Sequence, residues 1–235
     1  MMFRSCIWLT ILIALAGCEP TAEQKAHFAE RRRLECLQQY CPGDVLPTYN
    51  TMTHEAIKLN GQWFIGPKEY FSSGTNGGAF YWPSKTPVSP KVQDFPEKAA
   101  ATSGHANDVT IEIFLRSHNG FVRSPSFYKA LQIAETHGQV ITKTVLRPGL
   151  VLWRVKEDDG YVATWFTADE LRDSNGEPPI LFCRREDEPK SGVCTTGFIW
   201  VPGIAADLRF RAKHAQDWPE VYQEVIRVLN LLKKA

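Results

Sequence analysis

Six cysteines carry most of the covalent chemistry open to this chain: Cys6, Cys18, Cys36, Cys41, Cys183 and Cys194. Cys183 ends the apolar run Pro179-Ile180-Leu181-Phe182, and Cys194 opens onto Thr195-Thr196-Gly197-Phe198-Ile199-Trp200-Val201. Between them lies a polar loop, Arg184 to Val193. Two apolar runs with a thiol at each side of the neck predict a β-hairpin closed by a disulfide. Closing a loop of this length removes unfolded-state freedom worth roughly 2–3 kcal/mol. Cys36 and Cys41 make the other local pair. Residues spaced like these in a continuous helix are too far apart for an S–S bond, so a helix there must end between them. Pro42-Gly43 supplies the stop. The alternative, in which Cys36 and Cys41 each reach the C-terminal half, stays open on sequence alone. No histidine stands at ligand spacing from these thiols, so they read as structural staples, with no metal and no cofactor expected.

Other catalytic arrangements lack their context. The chain has no Gly-x-Ser-x-Gly elbow and no His-Glu-x-x-His helix. The glycine cluster from Ser72 to Gly78 lacks the Gly-Lys-Ser/Thr ending of a phosphate loop and reads as a flexible loop. His105, Asp108 and His118 flank the start of a strand and could cluster, but polar side chains at strand ends are usually solvated. The expectation is a protein with no catalytic residue. Two charged tips remain. One is Arg184-Arg185-Glu186-Asp187-Glu188-Pro189-Lys190, on the stapled hairpin; the other is Lys156-Glu157-Asp158-Asp159. Charged loops on a rigid sheet suit protein recognition, so Arg184, Arg185, Glu186, Asp187, Glu188, Asp158 and Asp159 are the candidate partner contacts. A solubilising turn is the plainer reading of either loop taken alone.

The N-terminus fixes an address. Arg4 provides a positive start, Ile7 to Ala16 an apolar stretch too short to span a bilayer, and Leu15-Ala16-Gly17 places small residues before Cys18. Leu15-Ala16-Gly17-Cys18 resembles the lipobox of bacterial lipoproteins. The resemblance implies that residues 1–17 are a signal peptide and that the Cys18 thiol is acylated with palmitate-type chains. Several acyl chains anchor stably where one would not. Glu19, rather than an aspartate, follows the cysteine. By the same resemblance this points to the outer membrane, facing the periplasm. An oxidising compartment agrees with an even number of remaining cysteines.

Only Arg4 among the 27 basic residues lies in the first 17 positions, leaving 26 basic side chains against 26 acidic ones. That balance argues against a nucleic-acid partner, which would want a basic surface. There is no second long apolar run.

The elements that must position these residues are read from periodicity. Thr21-Ala22-Glu23-Gln24 has the form of a capping box and predicts a helix from about Ala22 to Tyr40, with Phe28, Leu34, Leu37 and Tyr40 as a partial apolar stripe. Residues 18–44 thus form an anchor and helical stalk. Residues 45–235 form one α+β domain with an irregular Pro/Gly-rich segment at about 72–108. Asn60-Gly61 between two apolar runs predicts a hairpin. Ala79 to Trp82 reads as a short strand. Val109 to Leu115 alternates as a strand, Ser126 to His137 reads as a helix stopped by Gly138, and Val140 to Leu146 and Leu150 to Val155 read as strands around Pro148-Gly149. Tyr161 to Phe166 is a further strand, Thr167-Ala168-Asp169-Glu170 reads as the cap of one helical turn, and a strand is expected near Ala206 to Phe210. The clearest helix starts at Asp217-Trp218-Pro219-Glu220. Trp218, Val221, Tyr222, Val225, Val228, Leu229 and Leu232 repeat on one face, and Lys233 and Lys234 complement the dipole at its end. The expected architecture is α+β: a mostly antiparallel sheet with a mid-chain helix and a C-terminal helix packed on it. The six tryptophans after Cys18 fall mainly on apolar strands, as core residues do.

Pro148-Gly149-Leu150-Val151-Leu152-Trp153-Arg154-Val155, then Tyr161-Val162-Ala163-Thr164, then Pro179-Ile180-Leu181-Phe182-Cys183, are similar to a family of periplasmic lipoproteins that protect bacteria against phospholipase effectors of the type VI secretion system. The resemblance spans about Val109 to Ala235. It implies an immunity protein with a protein toxin as partner, a membrane attachment through its N-terminal lipid, and inhibition by occlusion. Two other classes stand beside it: an envelope assembly lipoprotein with a resident partner, and a periplasmic hydrolase whose site forms only in three dimensions.

Overall fold

The computed structural model describes residues 21–37, 39–88, 107–117, 122–156, 162–184 and 192–235. By contacts the chain divides into a unit ending at Cys36 and a unit from Leu37 onward.

The first unit contains helix α1 (Ala22–Glu35). Both halves of the capping box form: Gln24 N–H donates to Thr21 Oγ1 at 3.2 Å, and Thr21 N–H donates to Gln24 Oε1 at 2.9 Å. No residue of α1 is buried. The helix stops at Cys36, short of the expected Tyr40. The next carbonyl, that of Leu37, accepts instead from Gly61 N–H at 3.0 Å, which takes the backbone out of the helical ladder.

The second unit is built on two antiparallel sheets. The small one joins β1 (His54–Leu59), β2 (Gln62–Pro67) and β12 (Lys233–Lys234). Its hairpin turns where Asn60 and Gly61 take φ of 49° and 76°, the pair of left-handed residues that a two-residue turn needs. Nine strands form the large sheet. They are β3 (Phe71–Ser72), β4 (Gly77–Trp82), β5 (Val109–Ser117), β6 (Ile141–Arg147), β7 (Leu150–Lys156), β8 (Val162–Ala168), β9 (Ile180–Arg184), β10 (Val193–Val201) and β11 (Ile204–Arg211), in the order β3-β4-β5-β11-β10-β9-β8-β7-β6. Six consecutive strands therefore run as a meander from β6 to β11, and β5 closes onto β11 from the other side. Helix α2 (Arg123–Thr136) carries the chain from β5 across the sheet to its far edge at β6.

Alternation along each strand sorts the core into two faces. Val109, Ile111, Ile113 and Leu115 of β5, with Leu181 and Cys183 of β9, pack into one large cluster with helix α3 (Trp218–Leu229). Trp165 and Ala163 of β8 and Ile180 of β9 point the other way and meet Phe127 and Ala134 of α2. The apolar stripe predicted for α3 is buried in full, from Trp218 at 0% exposure to Leu232 at 5%.

Several local expectations are corrected. Gly77 and Gly78 are not a flexible loop. They lie in β4, where a Cβ on Gly77 would stand 2.0 Å from the Ile113 carbonyl oxygen and one on Gly78 2.6 Å from that of Tyr70. Thr167 and Ala168 cap no helix, although the Ala168 carbonyl accepts from Leu171 N–H at 3.0 Å to close a single turn. They continue β8, with Thr167 paired to Val151 and Ile180, so the ladder outweighs the local cap signal. Asp217 sits at the N-cap of α3 but makes no capping bond; its carboxylate takes Trp82 Nε1–H at 2.9 Å and His214 Nδ1 at 2.8 Å. Lys233 and Lys234 are past the helix, in β12, although Lys233 Nζ still donates to the C-cap carbonyl of Asn230 at 2.9 Å. The strand expected near Ala206 begins at Ile204.

Candidate partner-binding cleft

The segment after α1 runs as a strap over the small sheet. Leu37 O accepts from Gly61 N–H and, at 3.5 Å, from Ser117 Oγ. Asp44 then ties the strap down. It accepts from Cys41 N–H at 2.7 Å, and its two oxygens receive Lys58 Nζ at 2.7 and 2.6 Å. The hydrogen bond from Lys58, with that from Cys41 N–H, holds the Asp44 carboxyl below its ordinary range. Lys58 is 7% exposed, so its ammonium depends on this partner and on the Trp63 ring, 5.9 Å away, for what water would otherwise supply.

Between the strap, β1–β2 and the β3–β4 turn lies a cleft of about 460 Å³. Tyr40, Leu46, Tyr49 and Trp63 give it apolar walls; Glu55 and Asn76 add polar groups. Glu55 pairs with Lys68 at 3.4 Å. The strap's outer side is unusually apolar for solvent: Val45 and Met52 are each 85% exposed, Tyr40 57% and Leu46 53%. A concave surface of mixed polarity with a hydrophobic rim is suited to holding a side chain of another molecule. It offers no nucleophile paired with a base.

The charged tips are placed only in part. Arg184 ends β9 with its side chain exposed. Arg185, Glu186, Asp187, Glu188, Asp158 and Asp159 lie outside the described residues, as do Leu15 to Cys18. The hairpin beneath the first tip is formed as predicted, with Cys183 and Cys194 directly paired across β9 and β10 and disulfide-bonded, Cα–Cα 4.1 Å. With those two joined, the bonded Cys36 and Cys41 make the second bridge, and the long-range alternative falls. In the suggested trio, Asp108 is buried and occupied: it accepts from Ser84 N–H at 3.2 Å and Ser84 Oγ–H at 2.6 Å, bracing the turn after β4. His105 and His118 lie outside the described residues.

The sequence did not single out His214. Its Nδ1 faces Asp217, which has the form of a general-base dyad, but Nε2 is 2.9 Å from the Asn107 carbonyl oxygen. Both ring nitrogens are thus engaged with acceptors and the dyad acts as a brace. Among the described residues no group of three His, Cys, Asp or Glu side chains is placed to hold a metal.

No family model and no curated protein matches this chain. A solved structure does. It is Smlt3025, an immunity protein of the Stenotrophomonas maltophilia type IV secretion system, matched over 82% of this chain and 100% of its own with a TM-score of 0.53 and 14% identity. At that identity the likeness is one of fold.

Proposed function

We propose that this chain is a lipid-anchored periplasmic immunity protein that binds an incoming toxin and blocks it by occlusion. The observation that carries the reading is the shared fold: a secretion-system immunity protein lies within this chain's architecture over its whole length. The cleft beside the strap supports binding, since it is rimmed by exposed hydrophobic surface. The type VI delivery route and the phospholipase class of toxin rest on the strand motifs from Pro148 to Cys183, and the outer-membrane anchor rests on Leu15 to Cys18.

The test titrates this chain into a phospholipase effector captured from the source cells on the anchorless protein. Purified toxin should lose phospholipase activity on titration with this chain, at a one-to-one ratio. An unchanged rate at tenfold excess, or lipase activity in this chain itself that a point change abolishes, overturns the reading. Cys18→Ser should leave the protein unprocessed or free in the periplasm; unaltered processing and membrane extraction contradict the anchor.

A further inference from the structure

The walls of the cleft beside the strap carry two kinds of chemistry. Aromatic rings come from both sides: Tyr40 and Tyr49 from the strap, Trp63 from β2. Two charged side chains, Lys58 and Glu55 of β1, also line it, and they are not equally open. Lys58 is 7% exposed, and both oxygens of Asp44 hold its ammonium, at 2.7 and 2.6 Å. Glu55 is 21% exposed and meets Lys68 Nζ through Oε1 at 3.4 Å. Lys68 is itself 45% exposed. An ion pair that open to water contributes little and yields to a better one. The charge a visitor to the cleft can reach is therefore the Glu55 carboxylate.

That asymmetry selects the occupant. Asp44, Lys58, Glu55 and Lys68 sum to zero charge, so an entering side chain is judged by what it touches. An anion would need Lys58, and could reach it only by displacing Asp44. An apolar side chain would cover the rings but strip water from Glu55 and give nothing back. A cation with a flat apolar body satisfies both, because ring faces attract positive charge and the carboxylate pairs with it. Guanidinium is that group: planar, weakly hydrated, able to stack on an aromatic face and to donate to a carboxylate at once. We infer that the cleft is the socket for an arginine side chain of the partner protein, held against the aromatic walls and paired with Glu55. The exposed Leu46 and Met52 at the rim then keep water from the pair, as the surround of an interface anchor does. This rests on the reading that the chain binds a protein, not on which protein it binds.

The experiment is an NMR titration of the mature chain with N-acetylarginine amide. The acetyl amides of citrulline, norleucine and glutamate serve as uncharged, apolar and anionic counterparts. The Trp63 indole signal should shift and saturate with arginine, with a Kd on the order of millimolar for so small a ligand. Citrulline, which keeps the shape and loses the charge, should bind about tenfold more weakly. Glu55→Gln keeps the size of the side chain and should bring arginine down to the affinity of citrulline, leaving citrulline itself unchanged. Tyr49→Leu should weaken arginine about threefold, through the lost ring face. Equal affinity for arginine and citrulline, tighter binding of the norleucine or glutamate amide, or no saturable shift at Trp63 overturns the proposal. The toxin titration above is scored separately. Inhibition without arginine binding sinks the socket and leaves the immunity reading. Arginine binding that needs Glu55, without inhibition of the toxin, keeps the socket and sinks the immunity reading.

Discussion

Removing the Cys183–Cys194 bridge should cost the second unit about 3 kcal/mol, and the size can be worked from the fold. The two cysteines are 11 positions apart, and a loop of that length loses about 9 cal/mol/K of unfolded-state entropy on closure, or about 2.8 kcal/mol at 298 K. Both sulfurs are fully buried in the main cluster, so alanine at both sites also removes two core atoms, each worth about 0.8 kcal/mol on the scale of a methylene. The two contributions separate experimentally. In a Cys36→Ala/Cys41→Ala background, reductant opens the 183–194 bridge alone and keeps its sulfurs. Cys183→Ala/Cys194→Ala removes both. Urea unfolding should then give a loss of about 3 kcal/mol on reduction and about 4 for the alanine pair. At this domain size the corresponding drops in Tm are roughly 6–12 °C and 8–16 °C. A reduced form within 1 kcal/mol of the oxidised one would refute the chain-entropy argument, because it would mean that β9 and β10 stay associated in the unfolded chain without the bridge.

Gly77→Ala should destabilise by at least 1–3 kcal/mol by urea unfolding, since its Cβ would meet the Ile113 carbonyl rather than a side chain able to turn away. The strap should loosen in acid. The Asp44 carboxyl is held below its ordinary value, so its stabilising effect is complete above the unfolded-chain pKa of about 3.9 and is lost as pH falls through the lower folded value. Proteolysis or amide exchange at residues 39–49 should therefore rise below about pH 4, and Asp44→Asn should show the loosened strap at neutral pH with the acid step gone. Leu46→Ser with Met52→Ser should leave stability within about 0.5 kcal/mol, because both side chains are exposed, while weakening toxin inhibition by more than tenfold; unchanged inhibition would remove the cleft rim from the interface.

How much of this was legible depended on whether a residue's reason was local. Asn60-Gly61 marks its hairpin because two left-handed residues are a property of the turn itself. The α3 stripe and the alternation of β5 are legible because periodicity reports which face is buried, whatever buries it. Gly77 and Gly78 were not legible as strand, because what demands glycine there is the backbone of β5, which follows only after a long intervening segment, and that of Tyr70 across the β3–β4 hairpin. Asp217 carries the sequence of a cap, yet Trp82 and His214 both meet its Oδ2; no local pattern announces Trp82, 135 residues distant. The cleft was missed for a related reason. Its signal was present in Val45, Leu46, Tyr49 and Met52, apolar residues in a stretch with no period, which no helix or strand could bury.

That last point constrains where a partner can bind. One face of the large sheet is closed by α3, whose stripe is buried from Trp218 to Leu232, and β7 to β10 on the other face are covered by α2 through Phe127 and Ala134. A binding protein with its faces spent on its own core must recognise others through what the core cannot use: loops, strand edges and segments laid over the surface. The strap fits that description. The strap offers apolar side chains around a neutral cleft, where truncation should slow nothing and speed dissociation. Measuring both rate constants for Leu46→Ser against the toxin therefore assigns the strap its part. If Leu46→Ser changes only the association rate, the part drawn here for the strap from its exposed apolar side chains is wrong.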